Sequence, residues 1–114
     1  MKTLIRQSEA VEHGREGLNG WYYQLPDIEG GRSVIYAEVT GEHGQRTIGE
    51  HPRMYYIIDG SGQYTVNGEA FEVQKGDLVV IPAFGTYNFH ATSPMLKVLL
   101  NMELLDLSQL PKSK

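Results

Sequence analysis

The chain has 114 residues, a formal net charge of -4 and no cysteine. That length supports one hydrophobic core burying about two-thirds of the unfolded surface, and the missing thiols exclude disulfide and thiolate chemistry, which suits a reducing compartment and makes the cytoplasm the expected location. Basic residues are scattered rather than clustered, so nucleic acid is not expected as a partner, and no apolar run approaches the roughly 20 residues of a membrane span.

Taken in chain order, Met1 to Gly20 is polar and weakly periodic and reads as an irregular arm or edge strand (1–20) ahead of the main domain. Trp21, Tyr22, Tyr23 and Leu25 give an aromatic strand signal ended by Pro26-Asp27, and Gly30-Gly31 turns the chain into the strand Ser33 to Thr40. A glycine-bearing loop leads to Tyr55-Tyr56-Ile57-Ile58, and Asp-Gly-Ser-Gly then supplies the positive φ values needed to reverse into Gln63–Val66. Asn67-Gly68 is the strongest short hairpin signal, because both residues tolerate the left-handed angles of a type I′ turn, and Glu69–Gln74 returns from it. After Lys75-Gly76-Asp77 come the apolar run Leu78–Ile81, closed by Pro82, and two further strands at Tyr87–Ala91 and Met95–Met102. Seven to nine short strands with regular turns, thirteen glycines and seven tyrosines predict an all-β sandwich or barrel over 21–102. The stretch 103–114, with Leu104, Leu105, Leu107 and Leu110, is expected as a tail or short helix.

From Thr40 to Leu100, and above all in YYIIDGSGQYTVNGEAFEVQKGDLVVIP, the sequence resembles a small single-domain cupin. The family pattern is G-x5-H-x-H-x3-E-x6-G followed by G-x5-P-x-G-x2-H, and Gly41, Gly60, Gly76 and Pro82 fall in register with it. The resemblance implies a jelly-roll barrel, the cupin double-stranded β-helix, and a metal held by three imidazoles and one carboxylate. At those four positions this chain has Thr47, Gly49, Arg53 and Tyr87. A guanidinium has no lone pair to donate and is permanently positive, so Arg53 would repel a divalent ion. No metal or other cofactor is therefore expected. The residual route to a metal is a shifted register through His51, Asn88 and His90, with His43 as a further donor, because Phe84 stands where the pattern has glycine and could mark a one-residue slip. In the slipped frame Asn88 takes the last histidine position.

Residues two apart share a strand face, so if Arg53 faces inward, Tyr55 and Ile57 do too. The other set, Met54, Tyr56 and Ile58, is also apolar, which predicts burial from both sides and a homodimer, in keeping with the family resemblance. Arg53 suits a ligand carboxylate or phosphate through its planar donors; its bland alternative is an ion pair with Glu38, Glu50 or Asp59. Tyr87 could hydrogen-bond a ligand or act as an acid, or simply fill the space a metal would occupy. His51, in the loop Glu50-His51-Pro52, is either a general base or a solvated histidine. Tyr36 and Glu38, with Trp21 and Tyr23 beside them, could line a pocket for a sugar or flat ligand, or could be packing.

These residues lead to a metal-independent cupin that binds a small anionic or carbohydrate-like molecule through Arg53, Tyr55, Tyr36, Glu38 and Tyr87. An arginine is a costly filler for a barrel that has lost its purpose. The enzyme alternative is a metal-free sugar isomerase or epimerase in which His51 and Tyr87 move protons, and a metal-dependent enzyme with shifted ligands is the other. Both ligand readings require a cavity of some hundreds of Å3, whereas a purely structural module predicts a filled barrel.

Overall fold

The computed structural model describes residues 2–109, and the last five residues of the expected tail, Leu110 among them, lie outside it. Ten strands are present among these residues: β1 Val11–Arg15, β2 Leu18–Leu25, β3 Arg32–Val39, β4 Arg46–Thr47, β5 Arg53–Asp59, β6 Ser61–Val66, β7 Glu69–Gln74, β8 Leu78–Ile81, β9 Thr86–Ala91 and β10 Leu96–Met102. They form a six-stranded sheet in the order β1-β2-β3-β10-β5-β8 and a four-stranded sheet in the order β4-β9-β6-β7. Every pairing is antiparallel, and the two sheets close over one core as a jelly-roll barrel. The stretch expected as an arm carries β1 and the start of β2, joined by the two-residue turn Glu16-Gly17, where Gly17 takes φ 83. Beyond β10 the chain ends in a 3-10 turn at Leu107–Gln109.

Turn chemistry fixes the register. Asn67 (φ 50) and Gly68 (φ 84) make the left-handed turn that pairs Val66 with Glu69. Gly60 (φ 81) lets the chain leave β5 in one sheet and enter β6 in the other, and a Cβ there would collide with the Met95 carbonyl oxygen. Phe84, at φ 61, adopts the left-handed conformation for which glycine is the natural residue. The loop before β9 therefore keeps its length, no residue slips, and Tyr87 faces inward in the ungapped frame.

Alternation then sorts the core. Ile35, Ala37 and Val39 of β3, Tyr55 and Ile57 of β5, Tyr87 and Phe89 of β9, and Leu96, Val98 and Leu100 of β10 are all buried. Burying each large apolar side chain is worth about 1.5–3 kcal/mol. Between Lys97 and Val98 the pairing with β5 shifts by one residue, leaving Ile58 as an extra residue. That bulge puts Asp59 opposite Lys97 on the outer face and explains why Ile58 is half-buried rather than exposed like Met54 and Tyr56.

Candidate functional site

Four aromatic rings fill much of the barrel interior. Tyr64 stacks on Phe89 with ring centroids 4.5 Å apart, and Tyr55 meets Phe89 edge-on at 5.2 Å. The hydroxyls of Tyr55 and Tyr87 are hydrogen-bonded at 2.5 Å. Burial pushes the Tyr55 hydroxyl well above its ordinary pKa, and the neighbouring Tyr87 adds to the shift, so Tyr55 stays protonated. The Tyr64 hydroxyl is buried and has no hydrogen-bond partner among the described residues.

Arg53 faces inward with Tyr55 and Ile57, as the alternation requires. Its partner is Glu103, with Nε 3.5 Å from Oε1, and not Glu38, Glu50 or Asp59. Burial opposes its charge, but the Tyr87 hydroxyl and the Glu103 carboxylate more than compensate and raise its pKa. A carboxylate of the chain itself thus already meets the guanidinium.

A cavity of about 70 Å3 lies beside these rings, lined by His13, Arg15, His43, Arg46, Tyr22 and Tyr55 over an aliphatic floor that includes Val98 and Leu100. It holds a carboxylate-sized group and falls well short of the hundreds of Å3 expected from the sequence. The β1–β2 turn places His13 and Arg15 on one wall. The loop after β3 and the short strand β4 place His43 and Arg46 on the other, with Arg46 paired opposite Tyr87. Arg15 donates to the His43 carbonyl oxygen. The His43 ring stacks between Phe89 (4.8 Å) and Tyr87 (5.3 Å), and its Nδ1 lies 2.8 Å from the Gly44 carbonyl oxygen. A carbonyl only accepts, so Nδ1 carries the proton and Nε2 keeps its lone pair. Burial, followed by the charges of Arg15, Arg46 and Arg53, lowers the His43 pKa to about 4. The cavity therefore presents two guanidinium groups and a neutral imidazole, and no carboxylate lines it.

Several residues singled out in the sequence lie elsewhere. Tyr36 and Glu38 are hydrogen-bonded to each other at 2.8 Å on the outer face of the six-stranded sheet, where Trp21 stacks on Tyr36 at 5.5 Å. They belong to no barrel pocket. His51 is exposed in its loop, 3.6 Å from Glu50 and away from Tyr87, so the two do not form an acid–base pair. Asn88 has the opposite parity to Tyr87, accepting from the Gly44 amide and donating to Glu42. His90 shares that parity and pairs with Glu42 by an isolated bridge. The fallback ligands His51, Asn88 and His90 are not gathered together. Among the described residues no group of three or more histidine, aspartate or glutamate side chains is placed to hold a metal. At the family's ligand positions, Thr47 bonds Thr86, Gly49 accepts from Phe84, Arg53 is cationic and Tyr87 is spent on Tyr55. The residues present do not fit the family's metal.

With this geometry in view, comparison with known proteins is decisive for the family. A profile described as Cupin domain matches residues 37–102. The chain belongs to the cupin family. It is also 38% identical over 61 residues to an uncharacterized protein of Methanocaldococcus jannaschii, an alignment covering 50% of this chain and 49% of that one, so the chain spans about half the length of that relative. Among solved structures, this cupin superposes on KdgF from Halomonas sp. with a TM-score of 0.79 at 16% identity, covering 96% of this chain and 100% of the other. It superposes equally, at 0.79 and 17% identity, on Pac13, described as a unique nucleoside dehydratase, covering 95% and 88% of the two chains. Structures of Streptomyces Pac13 with uridine include variants in which a tyrosine is replaced by phenylalanine or a histidine by glutamine. At these identities the neighbours show the fold alone.

Proposed function

We propose that this protein is a metal-independent cupin that binds a small anionic, hydroxyl-bearing molecule, with its anionic group in the cavity between Arg15 and Arg46. The observation that carries this reading is the lining itself: two arginines, His13 and His43 converge on one small cell with no carboxylate to neutralise them. A buried cationic cell is costly when empty of anions, and planar guanidinium donors suit a carboxylate or phosphate. Arg46 is exposed at the mouth, so the rest of a larger ligand extends past it toward solvent. Structural neighbours named for nucleoside and ectoine chemistry are in keeping with a barrel that takes small molecules. Titration calorimetry of EDTA-treated protein with glycolate, gluconate and inorganic phosphate tests it. Saturable binding of at least one probe is expected, weakened about tenfold by Arg46→Gln, the worth of one charge-assisted hydrogen bond. Arg53→Gln should leave affinity nearly unchanged, because Glu103 already occupies that guanidinium. Failure of every probe, or binding that requires an added divalent metal, would overturn the reading.

A second reading, favoured by the fixed tautomer of His43, gives the same site proton-transfer chemistry. His43 Nε2 is a base held at the cavity, and the protonated Tyr55–Tyr87 pair is an acid on its far side. This moves the catalytic base from His51 to His43. The histidine and tyrosine variants studied in Pac13 involve the same residue types. Deuterium uptake from D2O at the carbon beside a carbonyl, followed by NMR over a panel of keto acids and sugars, would reveal it. Loss of that exchange in His43→Gln is expected, and exchange that survives His43→Gln would remove the base from the account.

A further inference from the structure

The outer face of the six-stranded sheet is apolar across its breadth. Register places Trp21, Tyr36, Leu99, Tyr56 and Leu78 side by side in a single row over five strands. The next row adds Met54 and Val80 on β5 and β8, paired with each other. Leu78 is 58% exposed, Val80 52%, Tyr56 46%, and Met54 and Leu99 38% each. Such a patch is several hundred Å2, at or above the roughly 300–600 Å2 of the largest patch on a typical monomer, and in the range that a stable interface of about 800 Å2 per partner needs once its polar rim is added.

We propose that this face is covered by a second copy of the chain packed about a two-fold axis. The charges at its two ends select that occupant. At one end a row of Glu38, Lys97 and Asp59 carries a net negative charge; at the other, the outward charge of β3 is the exposed Arg32. A two-fold axis through the face sets the acidic end of one copy over Arg32 of the other, and does so twice, as an isologous contact requires. No charged side chain interrupts the two apolar rows between these ends, whereas an outer sheet face meant for water alternates with polar residues. The inner cavity opens elsewhere, since neither Arg46 nor His43 lies on this face, so pairing leaves the barrel site accessible.

Sedimentation equilibrium of the full chain tests this. The expected mass is twice the 12.8 kDa of one chain. Tyr56→Arg and Leu99→Arg should each shift the protein to monomer at micromolar concentration, with near-UV circular dichroism unchanged. Tyr56 is half exposed in the single chain, so its variant remains informative if Leu99→Arg fails to fold. Asp59→Arg should weaken the dimer, and adding Arg32→Glu in the same chain should restore it. A wild-type monomer, a dimer indifferent to both arginine variants, a charge reversal that is not rescued, or a monomer that pairs only with a different protein would each overturn the proposal.

Discussion

The Tyr55–Tyr87 pair allows a sharp test of how the interior is held. Both residues are essentially buried, at 2% and 1% exposure, and their hydroxyls are 2.5 Å apart. The Tyr87 hydroxyl also interacts with the Arg53 guanidinium, whereas Tyr87 is the hydroxyl partner seen for Tyr55. Tyr55→Phe therefore leaves Tyr87 still engaged with Arg53 and should cost about 1 kcal/mol, the net worth of one hydrogen bond. Tyr87→Phe strands the Tyr55 hydroxyl in the core and strips a partner from Arg53, and should cost about 2–3 kcal/mol. In the double variant the stranded hydroxyl is gone, so its cost should fall short of the sum by about 1–2 kcal/mol. Tyr64→Phe is the control. Its hydroxyl is already without a partner, so removing it should be neutral or stabilising. Urea unfolding at neutral pH, with the slope unchanged across the set, gives all four values. Additive costs, or Tyr55→Phe costing more than Tyr87→Phe, would refute the reasoning.

Two further outcomes follow from the same geometry. The His43 pKa is depressed from 6.5 to about 4, so the folded state refuses a proton that the unfolded chain accepts. Its contribution to stability is complete above pH 6.5 and is lost as pH falls toward 4, by up to about 3 kcal/mol. Stability measured against pH should therefore fall less steeply between 6.5 and 4 in His43→Gln than in the wild type, and equal slopes would contradict the buried neutral imidazole. Phe84 pays the left-handed strain of a non-glycine residue, so Phe84→Gly should be more stable than Phe84→Ala by about 1 kcal/mol, inverting the usual preference for alanine; thermal unfolding with the opposite order would show that the loop relaxes.

The fold was legible because its punctuation is local. Asn67-Gly68, Gly60 and Gly76 each specify a positive φ, and the segments between them alternate cleanly. The register at Tyr87 turned on Phe84, and only its backbone angle shows that a side chain stands in a glycine conformation without shifting the chain. The site was less legible. Tyr36 and Glu38 were assigned to the interior because β3 is apolar on both faces, and alternation cannot say which face is inside when Ile35 and Ala37 oppose Val34 and Tyr36. Arg15 was hidden in a stretch read as an arm, although Arg15-Glu-Gly-Leu18 is a two-residue turn of the type that joins hairpin strands. His43 sits in a loop, where no period points to a cavity, and Arg46 on a strand of two residues. Glu103, the partner of Arg53, lies just past the last strand and is close only in the folded chain.

The central claim is that cationic side chains have taken over the work of the family's metal. Elemental analysis of the purified protein, followed by calorimetric titration of the same sample with gluconate in the presence of EDTA, tests it most directly. The account predicts substoichiometric metal together with saturable binding that EDTA leaves unchanged and Arg46→Gln weakens. One equivalent of a transition metal, or binding that EDTA abolishes and added metal restores, would contradict it.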